Sequence, residues 1–82
     1  MRRTRREKQL RVVVTFHTTA EAMATEQLCI AKELAGKLIS APRSLSADCG
    51  IAWSAPAELK ETLAQAIAQA NIEIDAIYEL TL

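Results

Sequence analysis

Residues 10–21 read LRVVVTFHTTAE, and this stretch decides the fold. From Leu10 to Phe16 the side chains alternate and are rich in β-branched types. Val12, Val14 and Phe16 fall on one face; Arg11, Val13 and Thr15 fall on the other. That is the pattern of a strand. The strand runs straight into Thr18-Thr19-Ala20-Glu21. A threonine with a glutamate three residues later is a capping box, so a helix is predicted to start at Thr19. A strand feeding directly into a capped helix is half of a βαβ unit, and the rest of the chain is read for the other half.

At 100° per residue, Ala20, Ala24, Leu28, Ala31 and Ala35 fall within about 80° of one another, with Met23, Gln27, Ile30 and Leu34 extending that face. An inward face made mostly of alanine would let the helix approach a sheet closely. Cys29 is expected to point away from it and to be partly exposed. Gly36 is expected to cap the helix end. Lys37–Ala41 reads as a short second strand, stopped by Pro42 or confined by it to an edge. Residues 43–48 form a polar connection, and Cys49-Gly50 opens a third strand, Ile51–Ser54. Trp53 suits either the helix-covered or the open face of the sheet, with the core preferred. Pro56 fits the first turn of a second helix with the stripe Leu59, Leu63, Ala66, Ile67 and Ala70. Glu58 and Glu61 sit near its positive end, and Asn71 is expected to cap its last turn. Residues 72–80 read as a fourth strand, irregular near Ala76. The order β-α-β-β-α-β predicts an α+β, ferredoxin-like sandwich. Its four-stranded antiparallel sheet would have the order 4-1-3-2, with both helices on one face.

The composition is consistent with that scale. Eighty-two residues suffice for one domain, and half of them are apolar, enough for a small core. The expected division is a basic leader, residues 1–9, before a single domain, residues 10–82. Residues 1–11 carry a net charge of +5 and residues 12–82 a net charge of −5. An acidic body argues against a nucleic-acid-binding domain. Only weak contact through Arg2, Arg3, Arg5 and Arg6 is left open, to nucleic acid or an anionic membrane. The plainer reading of the leader is a solvated terminus or one folded back on the acidic body. No run of about 18 apolar residues exists to span a membrane, and the start lacks the apolar stretch of a secretory signal, so a cytoplasmic location is expected. Two cysteines without a CxxC pair, and His17 as the single histidine, do not make a disulfide scaffold or a closed metal site. No metal and no cofactor are expected.

The topology gives Cys49 a setting. The connection between strands two and three lies at the same end as the junction from strand one into helix one. Cys49 is therefore expected near His17, Thr18 and Thr19. Unpaired N–H groups at a helix start carry about half a positive charge and favour a thiolate. Arg43 would add to that effect, Asp48 would oppose it, and Ser44 and Ser46 could donate to an anionic sulfur. Gly50 would permit close approach of a backbone or ligand. A structural cysteine at a strand start is the plain alternative, and no catalytic motif fixes a pair between Cys49 and His17.

The run Val13–Phe16, the segment Pro42-Arg43-Ser44-Leu45-Ser46-Ala47-Asp48-Cys49-Gly50 and the run Ile74–Leu80 together resemble the Putative Se/S carrier protein-like family. The resemblance spans about residues 10–80. Its most specific element is a P-R-x-[IL]-S-x-x-C-G pattern, matched at Pro42, Arg43, Leu45, Ser46, Cys49 and Gly50. It implies a carrier that takes sulfur or selenium on Cys49 as a persulfide or selenyl sulfide and relays it. A cysteine desulfurase-type donor and a selenium or sulfur acceptor protein are the implied partners. The leader, His17 and Cys29 are not part of the family pattern. Such a carrier needs an accessible thiol and a docking face, and neither a second catalytic acid nor a deep pocket, which favours a carrier over a turnover enzyme. The principal alternative is a non-catalytic interaction or regulatory module using the open sheet face or homodimerisation. A small thiol enzyme with His17 as base is a third reading.

Overall fold

The computed structural model describes residues 9–45 and 49–82; the leader through Lys8, together with Ser46, Ala47 and Asp48, lies outside the described residues. Strand β1 (Leu10–Thr15) is followed by α1 (Thr19–Ala31), β2 (Lys37–Ser40), β3 (Ile51–Pro56), a 3-10 turn at Ala57–Leu59, α2 (Lys60–Gln69) and β4 (Ala76–Thr81). The sheet order is β2-β3-β1-β4, the reverse listing of 4-1-3-2, and every neighbouring pair is antiparallel. The chain therefore has the ferredoxin-like α+β arrangement.

Alternation in β1 sets the two faces of the sheet. Val12, Val14 and Phe16 join Trp53, Ala55, Ala22, Cys29, Leu63 and Ile67 in one apolar cluster. Complete burial of Phe16 or Leu63 contributes roughly 1.5–3 kcal/mol each. On the opposite face, Val13, Thr15, Ala52 and Ser54 are also buried. Arg11 lies over Ser54, its Nε donating to Oγ at 3.0 Å.

Several element boundaries differ from the sequence reading. Helix α1 stops at Ala31 and does not reach Gly36. Glu33 takes a left-handed φ of 57°; its N–H bonds to the Ile30 carbonyl (3.2 Å), and that of Leu34 bonds to the Cys29 carbonyl (2.8 Å). This is a Schellman closure with glutamate where glycine is usual, which is why Gly36 drew the assignment. Helix α2 closes in the same way. Asn71, at φ 59°, fills the left-handed position, as the sequence suggests. Pro56 ends β3 and does not open α2. Residues 72–75 are a connection, and β4 begins at Ala76, where the alternation had slipped.

The inward face of α1 also differs. Ala22, Thr25 and Cys29 are buried, whereas Ala20, Ala24 and Ala31 are exposed. The helix is apolar almost all round, so composition does not mark which stripe packs. Thr25 enters the core because its hydroxyl donates to the Glu21 carbonyl one turn back, at 3.0 Å.

Gly36 has a separate role. A Cβ built on it would come within 2.6–2.7 Å of three indole atoms of Trp53. Trp53 is 2% exposed on the helix-covered face, and its Nε1 is buried without a hydrogen-bond partner.

Candidate functional site at the carboxyl end of strand one

The end of the sheet where β1 finishes collects the residues singled out by the sequence. Thr18 caps α1: its hydroxyl accepts from the Glu21 N–H at 3.2 Å. The Glu21 carboxylate accepts from the N–H groups of His17 (2.9 Å) and Thr18 (3.4 Å). The predicted capping box is complete. It also places a negative charge at the positive end of the helix, offsetting part of the field that a nearby anion would feel.

Cys49 precedes β3 by two residues. Thr15 faces Ala52 in the ladder, so the start of β3 lies at the end of the sheet where β1 gives way to α1. The Cys49 side chain lies on the helix-covered side. It packs there against the edge of the apolar cluster and remains partly exposed. Its Sγ donates to the Ile51 carbonyl at 3.4 Å, a contact available to the thiol and not to the thiolate. Beside it, Gly50 adopts φ 75°, which disfavours other residues. An ideal Cβ on Gly50 meets nothing within 4 Å. Among the described residues beyond its chain neighbours, the glycine thus serves the backbone turn rather than a close approach.

On the other side of Cys49, the Gly50 carbonyl accepts from Ala41 N–H at 3.0 Å, extending the β2–β3 ladder. A turn follows, closed by Leu45 N–H to the Pro42 carbonyl at 3.0 Å. Arg43 and Ser44 occupy its corner positions and are exposed. They share the loop with Cys49, but the sulfur's hydrogen bond goes to Ile51. Ser46 and Asp48 lie outside the described residues.

His17 is placed differently. Its Nε2 lies 4.0 Å from Asp75 Oδ1, at the start of β4. Asp75 is fixed from β1: its N–H bonds to the Thr15 carbonyl (2.8 Å), and Oδ2 accepts from the Thr15 hydroxyl (3.1 Å). Because β1 separates β3 from β4, Asp75 lies on the flank of β1 away from β3. Asp75 was missed as a member of this end because the sequence placed it inside a strand that begins one residue later. Among the described residues, no group of three or more His, Cys, Asp or Glu side chains is arranged to hold a metal ion. Nor is any helix there long and apolar enough to cross a membrane.

Cys29 behaves unlike the sequence expectation. It is fully buried, and burial pushes its thiol above the ordinary value of 9.0 because the charged form would lose its hydration.

A family model, Putative Se/S carrier protein-like, matches residues 11–79. The chain belongs to that family. Its match covers all the secondary structure except the first residue of β1 and the last two of β4. No curated protein and no solved structure gave a match. As a member of the Se/S carrier-like family, the chain has one partly exposed thiol, Cys49, and one buried thiol, Cys29.

Proposed function

We propose that this protein carries sulfur or selenium on Cys49 and passes it between protein partners. The observation that carries the reading is the position of Cys49. It is held at the rim of the core, partly exposed, beside the left-handed turn at Gly50, in a chain of the Se/S carrier-like family. Loading from a donor persulfide proceeds by attack of the Cys49 sulfur on the donor's terminal sulfur. A new S–S bond forms on Cys49, the donor's S–S bond breaks, and the donor cysteine leaves as a thiolate. The proton given up by Cys49, together with its contact to the Ile51 carbonyl, passes through solvent to the leaving thiolate. The oxidation state is conserved between the two proteins, so the transfer needs no external oxidant. Delivery to an acceptor thiol is the same step in reverse order, and a selenyl sulfide follows the same balance.

In this reading Gly50 makes the turn that brings Cys49 to the rim, Thr18 anchors the helix start, and Arg43 and Ser44, with Ser46, present the loop to partner proteins. A cysteine desulfurase-type enzyme is the donor class, and the cytoplasm is the compartment that supplies it. The residue set is compact, residues 10–82 acting as one domain behind the basic leader. The deciding experiment is incubation of the reduced protein with a cysteine desulfurase and cysteine, followed by intact-mass and peptide mass spectrometry. A one-sulfur adduct on Cys49, absent in Cys49→Ser, is expected. No adduct on a folded, fully reduced protein would overturn the reading in favour of an interaction module.

A further inference from the structure

We infer that the outward face of α1 is a self-association surface, on which a second copy of this chain docks antiparallel about a two-fold axis near Gln27. Helix α1 contains two charged residues, Glu21 and Glu26. Its outward arc of about 120° is Ala20, Met23, Ala24, Gln27, Ile30 and Ala31, all exposed and none charged. Met23 and Ile30 are 53% and 62% exposed. The small residues at the centre of the opposite sheet face are instead already buried. Large apolar side chains sharing one surface row mark a contact site.

The spacing says what covers it. On the helical wheel, Met23 and Ile30 form one row and Ala24 and Ala31 a second, about 100° away. Met23 stands four residues before Gln27 and Ile30 three after; Ala24 stands three before and Ala31 four after. An antiparallel two-fold pairing therefore brings Met23 level with Ile30 of the other copy, to within about 1.5 Å along the axis, and Ala24 level with Ala31. The alanine row lets the two backbones come close on that side, while the Met–Ile row fills the other.

Charge completes the match. Beyond the alanine row, an open groove is lined by Ala20, Glu21 and Ala24 of α1 and by Asn71, Ile72 and Glu73. The same axis brings Lys32, five residues past Gln27, level with Glu21, six residues before it. Lys32 of each copy thus enters a groove carrying two carboxylates on the other. One helix face offers on the order of 400 Å² per copy, about half of a standard interface, so the pair is weak and depends on concentration.

Sedimentation equilibrium of the full chain from about 10 μM to 1 mM tests this, since small interfaces dissociate in that range. A monomer–dimer equilibrium is expected. Met23→Glu with Ile30→Glu should remove it while circular dichroism and Cys49 labelling stay unchanged. Lys32→Glu or Glu73→Lys alone should weaken association about fivefold, and the two together should restore it, because the swapped charges meet again. A monomer at every concentration would overturn the inference. So would a dimer indifferent to the Met23 and Ile30 changes, which would assign association to another surface. Single charge reversals that the double variant fails to rescue would overturn the antiparallel register.

Discussion

Cys29 and Cys49 touch the same apolar cluster and have opposite prospects. Cys29 lies in the last turns of α1, fully enclosed, its carbonyl accepting the closing hydrogen bond from Leu34. Cys49 sits at the rim, where β3 has not yet begun and the chain turns through a left-handed glycine. What separates them is depth. Cys29 is packed beneath α1, inside the apolar cluster. Cys49 lies just past the last β2–β3 bond, Ala41 N–H to the Gly50 carbonyl, and is partly exposed. Accessibility of the two thiols is therefore a matter of position, at the rim or inside the core.

The comparison is most directly broken by labelling. In the native protein iodoacetamide should modify Cys49, and should reach Cys29 only through global unfolding, slower by a factor of about 1,000 or more for a stability of several kcal/mol. Peptide mass spectrometry of a time course reads both sites, and comparable rates would show that the core around Cys29 opens locally.

The seal itself can be tested at Gly36. A methyl group there meets the Trp53 indole at 2.6–2.7 Å, on a backbone with φ 152°. Gly36→Ala should cost about 2–4 kcal/mol, because either the strand or the indole must move. Chemical denaturation measures it, and Cys29 labelling should accelerate in the same variant. A stability loss without that acceleration would detach Trp53 from the protection of Cys29.

A smaller effect is expected from Cys29→Ser, about 1–3 kcal/mol, as a hydroxyl replaces a weakly polar thiol in an apolar site. Its pH dependence carries a sign. Burial raises the Cys29 pKa in the folded state, so on alkalinisation the unfolded chain loses its proton first. The contribution is fully present below pH 9 and lost as pH rises through the folded value. Wild-type stability should thus decline above pH 9 more steeply than that of Cys29→Ser, in denaturation curves taken at pH 8 to 10.5.

The smallest change sharpens the comparison from the helix end. Glu33 holds the left-handed position whose closure bonds directly to Cys29. Glu33→Gly should stabilise by about 0.5 kcal/mol, the relief of left-handed strain exceeding the entropy glycine adds to the unfolded chain. The equivalent Asn71→Gly should change stability less, since asparagine already tolerates that conformation. Thermal melts of the two variants distinguish the positions.

The sequence by itself determined the first strand to within a residue of its end, the capping box at Thr18 and Glu21, the order of elements and, from that order, the sheet. These are local patterns: side-chain alternation, a hydroxyl and a carboxylate three residues apart, and turn residues between periodic segments. It also singled out Cys49, because an unpaired cysteine in a polar loop stands out whatever packs around it. Tertiary structure alone decided which stripe of α1 faces the sheet. The helix is apolar on nearly every side, and Thr25 was admitted to the core by a hydrogen bond to its own backbone. Packing likewise decided that Cys29 is sealed and that Gly36 serves Trp53 rather than a helix end. Strand register decided that His17 meets Asp75. Each of these depends on which surfaces meet across the fold, and a linear pattern does not contain that information when its apolar residues outnumber the places available in one small core.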